Sequence, residues 1–348
     1  MAATFRPAGS GAERVNLFPK LRAGQVITYR IRFRVDTALA SQSSVVMPLV
    51  PSPLQVDVLA NLRVEFMEVQ SAGSKALIHA RMQFEALHPE AEGGDPGKQS
   101  PQETAPSDAT PKKIIEFMIH PDGQLTDVKG DDALSPEEHQ AWAEWVSLFV
   151  MAAVFPEKGI KRGEKWESEE AEKAAAPIAG LTWLRRSTYV QDEACERQHL
   201  ESGEQASMAG QAPETCAVIV TTAALRQKSS KKDATPEDFK LHQLRTMGTA
   251  RGTNQVVAYI SLRTGLVVRA TEEASQSMDV TLEKADGSNR VHYKMDAKSN
   301  AEVLLVADTP LSVTEQIRVH LRGLNHGGTC IGRITLRKRG ARQSFGVR

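Results

Sequence analysis

The sequence predicts a mainly β protein: one large, strongly bent antiparallel sheet with a single amphipathic helix packed on its concave side. Three observations point there. Apolar and polar residues alternate at period two along most of the chain, as in strands with one buried and one wet face. Only one segment combines helical periodicity with capping signals at its start. Strands and helices do not alternate as parallel α/β folds require, and no fixed-period repeat occurs.

Composition allows such a core. The 348 residues carry 43 basic and 43 acidic side chains, with 41% hydrophobic and 25% charged residues, which is ordinary globular usage and excludes a collagen-like or wholly disordered chain. Aromatics make up only 5%, too few for the stacking platforms that bind single-stranded nucleic acid. At about 150 residues per domain the length fits two domains or one large β domain. We divide the chain into an N-terminal extension (1–20), one β-rich domain (21–306), and C-terminal strands with a basic tail (307–348).

The first strand alternates Ile27, Tyr29, Ile31, Phe33 and Val35 with Thr28, Arg30, Arg32, Arg34 and Asp36. A longer second strand uses Leu54, Val56, Val58, Ala60, Leu62, Val64 and Phe66. Its apolar parity switches at Met67 and Val69, the mark of a β-bulge. Ala76, Ile78, Ala80, Met82, Phe84 and Ala86 make a third. Residues 89–113 hold five prolines and no Ile, Leu, Val, Phe or Met, so they cannot bury enough surface to offset their ordering entropy and are predicted to be a disordered loop. Alternation resumes at Ile115, Phe117 and Ile119, and His120-Pro121-Asp122-Gly123 reads as a turn.

The helix is predicted over 136–154. Ser135-Pro136-Glu137-Glu138 offers an N-cap, a proline at the first helical position and a capping-box glutamate. Trp142, Trp145, Val146, Phe149 and Ala153 share one face, and Pro156 and Gly159 stop it. The acidic pair Glu169-Glu170 is assigned to a solvated loop. Strands return at 181–191 and 216–225, the latter apolar enough to be covered on both faces. Two hairpins follow, turning at Arg263-Thr264-Gly265 and at Asp286-Gly287. Leu311 to Leu321 and Ile334 to Leu336 complete about a dozen strands.

Cys195 and Cys216 end neighbouring predicted strands and could pair across them in an oxidising compartment, or remain two buried thiols. Residues 1–20 lack the apolar stretch of a secretion signal. The longest apolar run, Leu148 to Phe155, has eight residues, against the roughly 20 a membrane-spanning helix needs.

Four short segments, taken in order, carry a resemblance. They are Leu21-Arg22-Ala23-Gly24-Gln25-Val26, Ile119-His120-Pro121-Asp122-Gly123-Gln124-Leu125, the stretch from Phe155 to Trp166, and Leu262-Arg263-Thr264-Gly265-Leu266. Over 21–297 the chain resembles uncharacterised exported β-rich bacterial proteins, which in turn are similar to the half-barrel fold of lipoprotein carriers. That resemblance implies a half-barrel-like sheet, an apolar ligand and a place in the periplasm or cell envelope. It brings no catalytic motif and no cofactor.

One helix cannot cover a dozen strands, so either the sheet curls on itself or its uncovered apolar face binds something. The leading expectation is therefore a non-enzymatic, carrier-like protein that takes a lipid or another apolar small molecule between sheet and helix. Ile31, Phe33, Val64 and Phe66 would line the site from the strands and Trp142, Trp145 and Phe149 from the helix; the same residues would equally serve as plain core. The alternative is an envelope interaction or structural protein with an envelope protein as partner. Its surface would be the C-terminus, where residues 316–348 carry eight basic and no acidic side chains. There Arg333, Arg337, Lys338, Arg339 and Arg342 could hold an anion or an acidic partner, or merely block edge pairing of a strand. No nucleic-acid partner is expected, because no recognition fold accompanies the charge. The least favoured reading is a hydrolase using Cys330 beside His320 and His326, whose spacing matches no known triad or metal motif. We expect neither metal nor cofactor.

Overall fold

The computed structural model describes residues 14–43, 54–70, 77–87, 113–120, 125–149, 155–172, 176–195 and 214–309. The predicted disordered loop, the turn at Pro121 to Gly123, the last turns of the predicted helix and everything beyond Thr309 fall outside them, apart from Lys113.

Eleven strands form one open antiparallel sheet. They are β1 (Val26–Ser43), β2 (Leu54–Gln70), β3 (Leu77–Ala86), β4 (Lys113–Ile119), β5 (Leu125–Lys129), β6 (Lys165–Ala171), β7 (Leu181–Ala194), β8 (Thr215–Gln227), β9 (Leu244–Ser261), β10 (Val267–Lys284) and β11 (Val291–Thr309). The sheet order is β5-β4-β3-β2-β1-β11-β10-β9-β8-β7-β6. Each strand therefore pairs with its sequence neighbour except across the helix, and β1 joins β11 in the centre. That pairing runs from Val26 with Thr309 to Ser43 with Val291, which ties the first strand to the last described one over its whole length. A short helix α2 (Glu237–Leu241) lies before β9.

The period-two pattern converts directly into a covered inner face. Ile27, Tyr29, Ile31, Leu62, Val64, Phe66, Met82, Phe84, Ile115 and Phe117 are all buried. The parity switch in β2 is a bulge: Phe66 pairs with Ala80 and Glu68 with His79, so Met67 has no partner and turns outward.

Helix α1 (Pro136–Phe149) packs on β1, β2, β10 and β11. It buries Ala141, Trp142, Trp145, Leu148 and Phe149 on the sheet. Its start is a reciprocal capping box: the Ser135 N–H donates to Glu138 Oε2 at 2.7 Å, and the Glu138 N–H donates to Ser135 Oγ at 3.2 Å. Lys113 on β4 pairs with the same Glu138 carboxylate. Replacing Ser135 with Ala should therefore destabilise the protein by about 1 kcal/mol. The denaturant midpoint of S135A against wild type checks this, and equal midpoints would show that the Lys113 pair alone secures the turn.

Three expectations are corrected. Glu169 and Glu170 lie on β6 rather than in a loop, paired with Lys228 and Arg185; charges on an edge strand hid its alternation. Strand β9 begins at Leu244, twelve residues before its apolar run, since its first half carries Gly248, Gly252 and hydroxyl side chains. Strand β8 is covered on both faces only from Cys216 to Ile219; from Thr221 onward it alternates.

Candidate functional site

All seven residues expected to line a ligand site do meet in one place, on the inner face under α1. They are packed there. Ile31, Phe33, Val64, Phe66, Trp142, Trp145 and Phe149 belong to one apolar cluster, and none is more than 6% exposed. Tyr29, Trp145, Phe149 and Phe66 form a chain of rings: Trp145 lies 5.9 Å from Tyr29 and stacks on Phe149 at 5.1 Å, and Phe149 stacks on Phe66 at 6.2 Å. These spacings are ordinary aromatic packing. The Tyr29 hydroxyl donates to the carbonyl of Val267 at 2.9 Å, which fixes that ring.

The inner face continues past the helix, and there its cover thins. One row across the sheet runs Arg185, Ala223, Asn254, Ala274, Ser299, Val35; the next runs Trp183, Leu225, Gly252, Gln276, Ala297, Thr37. Apart from Ala223 and Leu225, all of these stay half-buried. They share a face with the fully buried residues under α1, so the alternation continues while the cover does not. Gly252 is needed here. A Cβ at that position would stand 2.9 Å from the Trp183 ring and 3.2 Å from Leu225 Cβ. Beyond this strip a second apolar cluster closes the far end, built from Ile178, Leu181, Leu225, Ala234, Ala250, Met278 and Val280. Tyr293 packs against it, and burial pushes its phenol up to about 12.

A polar seam separates the large cluster from the strip. Ser187 and Thr221 share a buried hydrogen bond of 2.8 Å. On the adjoining strands Glu272 is 8% exposed and accepts a hydrogen bond from the Asn254 side-chain amide. Glu144 reaches the seam from α1. Burial, then a hydrogen bond and charge repulsion from Glu272, hold its carboxyl well above the usual glutamate range, while Arg185 acts weakly in the other direction. Sequence patterns missed both: Glu272 takes an inward strand position that alternation gives to an apolar residue, and Glu144 is a charged helical residue that such reading gives to solvent.

A groove of about 500 Å³ is lined by Thr222, Thr253, Gln255, Glu273, Ser275, Lys298 and Asn300, together with Ala223, Asn254, Ala274 and Ser299 of the strip's rows. Apart from the two alanines its side chains are hydroxyls, amides and charges, so it does not suit an apolar ligand.

Cys195 and Cys216 are joined by a disulfide that links the end of β7 to the start of β8. Arg333, Arg337, Lys338, Arg339, Arg342 and Cys330 lie outside the described residues. Among the described residues there is no group of three metal-ligating side chains, and no helix is long and apolar enough to cross a membrane.

No protein-family model and no curated protein matches the chain. Solved structures give weak likenesses. A protein assigned as a lipoprotein from Parabacteroides distasonis is 10% identical, with 85% of this chain and all of that one covered, at a TM-score of 0.28. An outer membrane channel from Pseudomonas putida F1 is 9% identical, with 86% and 100% covered, at a TM-score of 0.17. Scores this low carry no argument about function; the class that stands is a mainly β protein built on one open, eleven-stranded antiparallel sheet with a helix on its inner face.

Proposed function

We propose that the protein is a non-enzymatic, carrier-like binding protein of the cell envelope that takes a lipid or another apolar small molecule on the inner face of its sheet, beside α1. The carrying observation is the strip of half-buried residues from Val35 and Thr37 to Asn254, on the same face that is buried under α1. Ala274, Ser299, Ala297 and Gly252 give it small side chains, and Phe33 and Val58 stand at its border as apolar walls. Ligand sites favour concave, mostly apolar surfaces with a few polar groups to fix orientation; the seam of Glu272, Asn254 and Arg185 supplies those. The envelope assignment draws on the Cys195–Cys216 disulfide, since such bonds persist in oxidising compartments. The seven buried residues under α1 become the floor and brace of the site rather than its lining.

Mass spectrometry of a solvent extract from gently purified protein tests this reading, with Ala297→Trp filling the strip. A stoichiometric apolar molecule in wild type, lost in a variant whose melting temperature is unchanged, is the expected result. An empty extract from folded wild-type protein would overturn it. The filled interior under α1 would then favour the second reading, a closed β scaffold that meets envelope partners through its surface.

A further inference from the structure

Glu138 of α1 is matched by Lys113 on β4, whereas Glu144, whose Oε1 is buried, faces another carboxylate. The described strands packed against the helix present uncharged residues to it nearly everywhere: Tyr29 and Ile31 on β1, Ala60 and Leu62 on β2, Ala301 and Val303 on β11. The exceptions are Lys113 on β4, which pairs with Glu138, and Glu272 on β10. The remaining charged groups facing the pair are Arg185 on β7 and its partner Glu170 on β6. Arg185 is already engaged by Glu170 at 3.5 Å. Glu144 Oε1 has no hydrogen-bond partner, and neither does the Asn254 side-chain oxygen. Two carboxyls in hydrogen-bond contact can share one proton; with both ionised in a poorly solvated site they repel.

We propose that Glu144 and Glu272 form a proton-operated latch that holds α1 on the sheet and loosens when the Glu144 proton is lost to water. The pair stands at the border between the core under α1 and the half-open strip, so release would join the aromatic floor to the strip. In the carrier reading this is the opening step, but the latch itself belongs to the ligand-free protein. The sign follows from the direction of the shift. Glu144 binds its proton more tightly with α1 docked than with α1 released. Docking is therefore strongest below the ordinary glutamate pKa of about 4.3 and weakens as pH rises from there toward the elevated value in the docked state.

Hydrogen–deuterium exchange of the α1 amides in solvent-extracted protein between pH 5 and 8, corrected for intrinsic exchange, reads this. Within that window wild-type protection should fall by up to about tenfold per pH unit, while amides of the β3–β4 pair stay level. Glu144→Gln keeps the shape and a hydrogen-bond donor toward Glu272 but cannot ionise. It should flatten the profile and leave α1 more protected than wild type at pH 8. Glu272→Gln should flatten it independently, which covers the case in which one variant misfolds. A level wild-type profile, or an unchanged slope in both variants, would overturn the latch. Either result leaves the solvent-extract test standing, and an empty extract leaves this pH profile standing.

Discussion

Trp145→Ala is expected to destabilise the protein by about 3–5 kcal/mol, the usual range for removing a large aromatic from a core. Trp145 is fully buried and sits between Tyr29 and Phe149, so the lost volume lies inside a chain of rings rather than at its edge. Collapse around the gap is resisted from both sides. The sheet below is held by ladders from β2 through β10, and Tyr29 is pinned by its bond to the Val267 carbonyl. Trp145→Phe should cost much less. The indole N–H of Trp145 is buried with no hydrogen-bond partner, and such a donor carries a penalty of about 1–3 kcal/mol that phenylalanine does not. Denaturant unfolding of both variants checks the pair. Similar losses for W145A and W145F would mean that the indole nitrogen is satisfied in solution, and a small loss for W145A would mean that α1 is not part of the cooperative core.

The contrast between these variants bears on what the sequence could reveal. The inner face of β1 to β4 was legible because period two is a backbone property: Ile27, Tyr29, Ile31 and Phe33 point one way whatever they meet. The capping box at Ser135 and the bulge at Met67 were legible for the same reason, since both are local events. What the face meets is not local. Nothing in the spacing of Ile31, Phe33 or Trp142 separates a lined pocket from a filled one; that depends on how closely α1 descends on the sheet. The accessible strip was invisible because its residues, Ala274, Ala297, Ser299 and Gly252, are small and nearly neutral in hydropathy. The Glu144–Glu272 contact joins residues 128 positions apart by their numbering, and only the packing of α1 on β10 brings them together.

The second large effect is expected at the disulfide. Reduction, or the paired Cys195→Ala and Cys216→Ala variant, should remove about 2–4 kcal/mol of stability. The bond closes a loop of 21 residues in sequence between β7 and β8. Cross-linking limits the unfolded chain more than the folded one, and for a loop of that size the chain-entropy estimate is about 3 kcal/mol. The location magnifies the consequence. Cys216 is fully buried, and the strand it begins pairs with β9 from Cys216 opposite Ser261 onward. Freeing this end should loosen the registers of β7 and β8 there first, beside Tyr189 and Ile219 of the main core, with Arg185 and Ala223 of the strip further along the same two strands. Unfolding of wild type with and without reductant, beside the double variant under both conditions, measures the effect. The wild-type midpoint should drop on reduction and the variant should be indifferent to reductant. If reductant leaves the wild-type midpoint unmoved while mass spectrometry shows the bond broken, the strand ladders alone hold β7 to β8. The oxidising compartment would then be unnecessary for folding, and the envelope assignment would lose the observation that supports it.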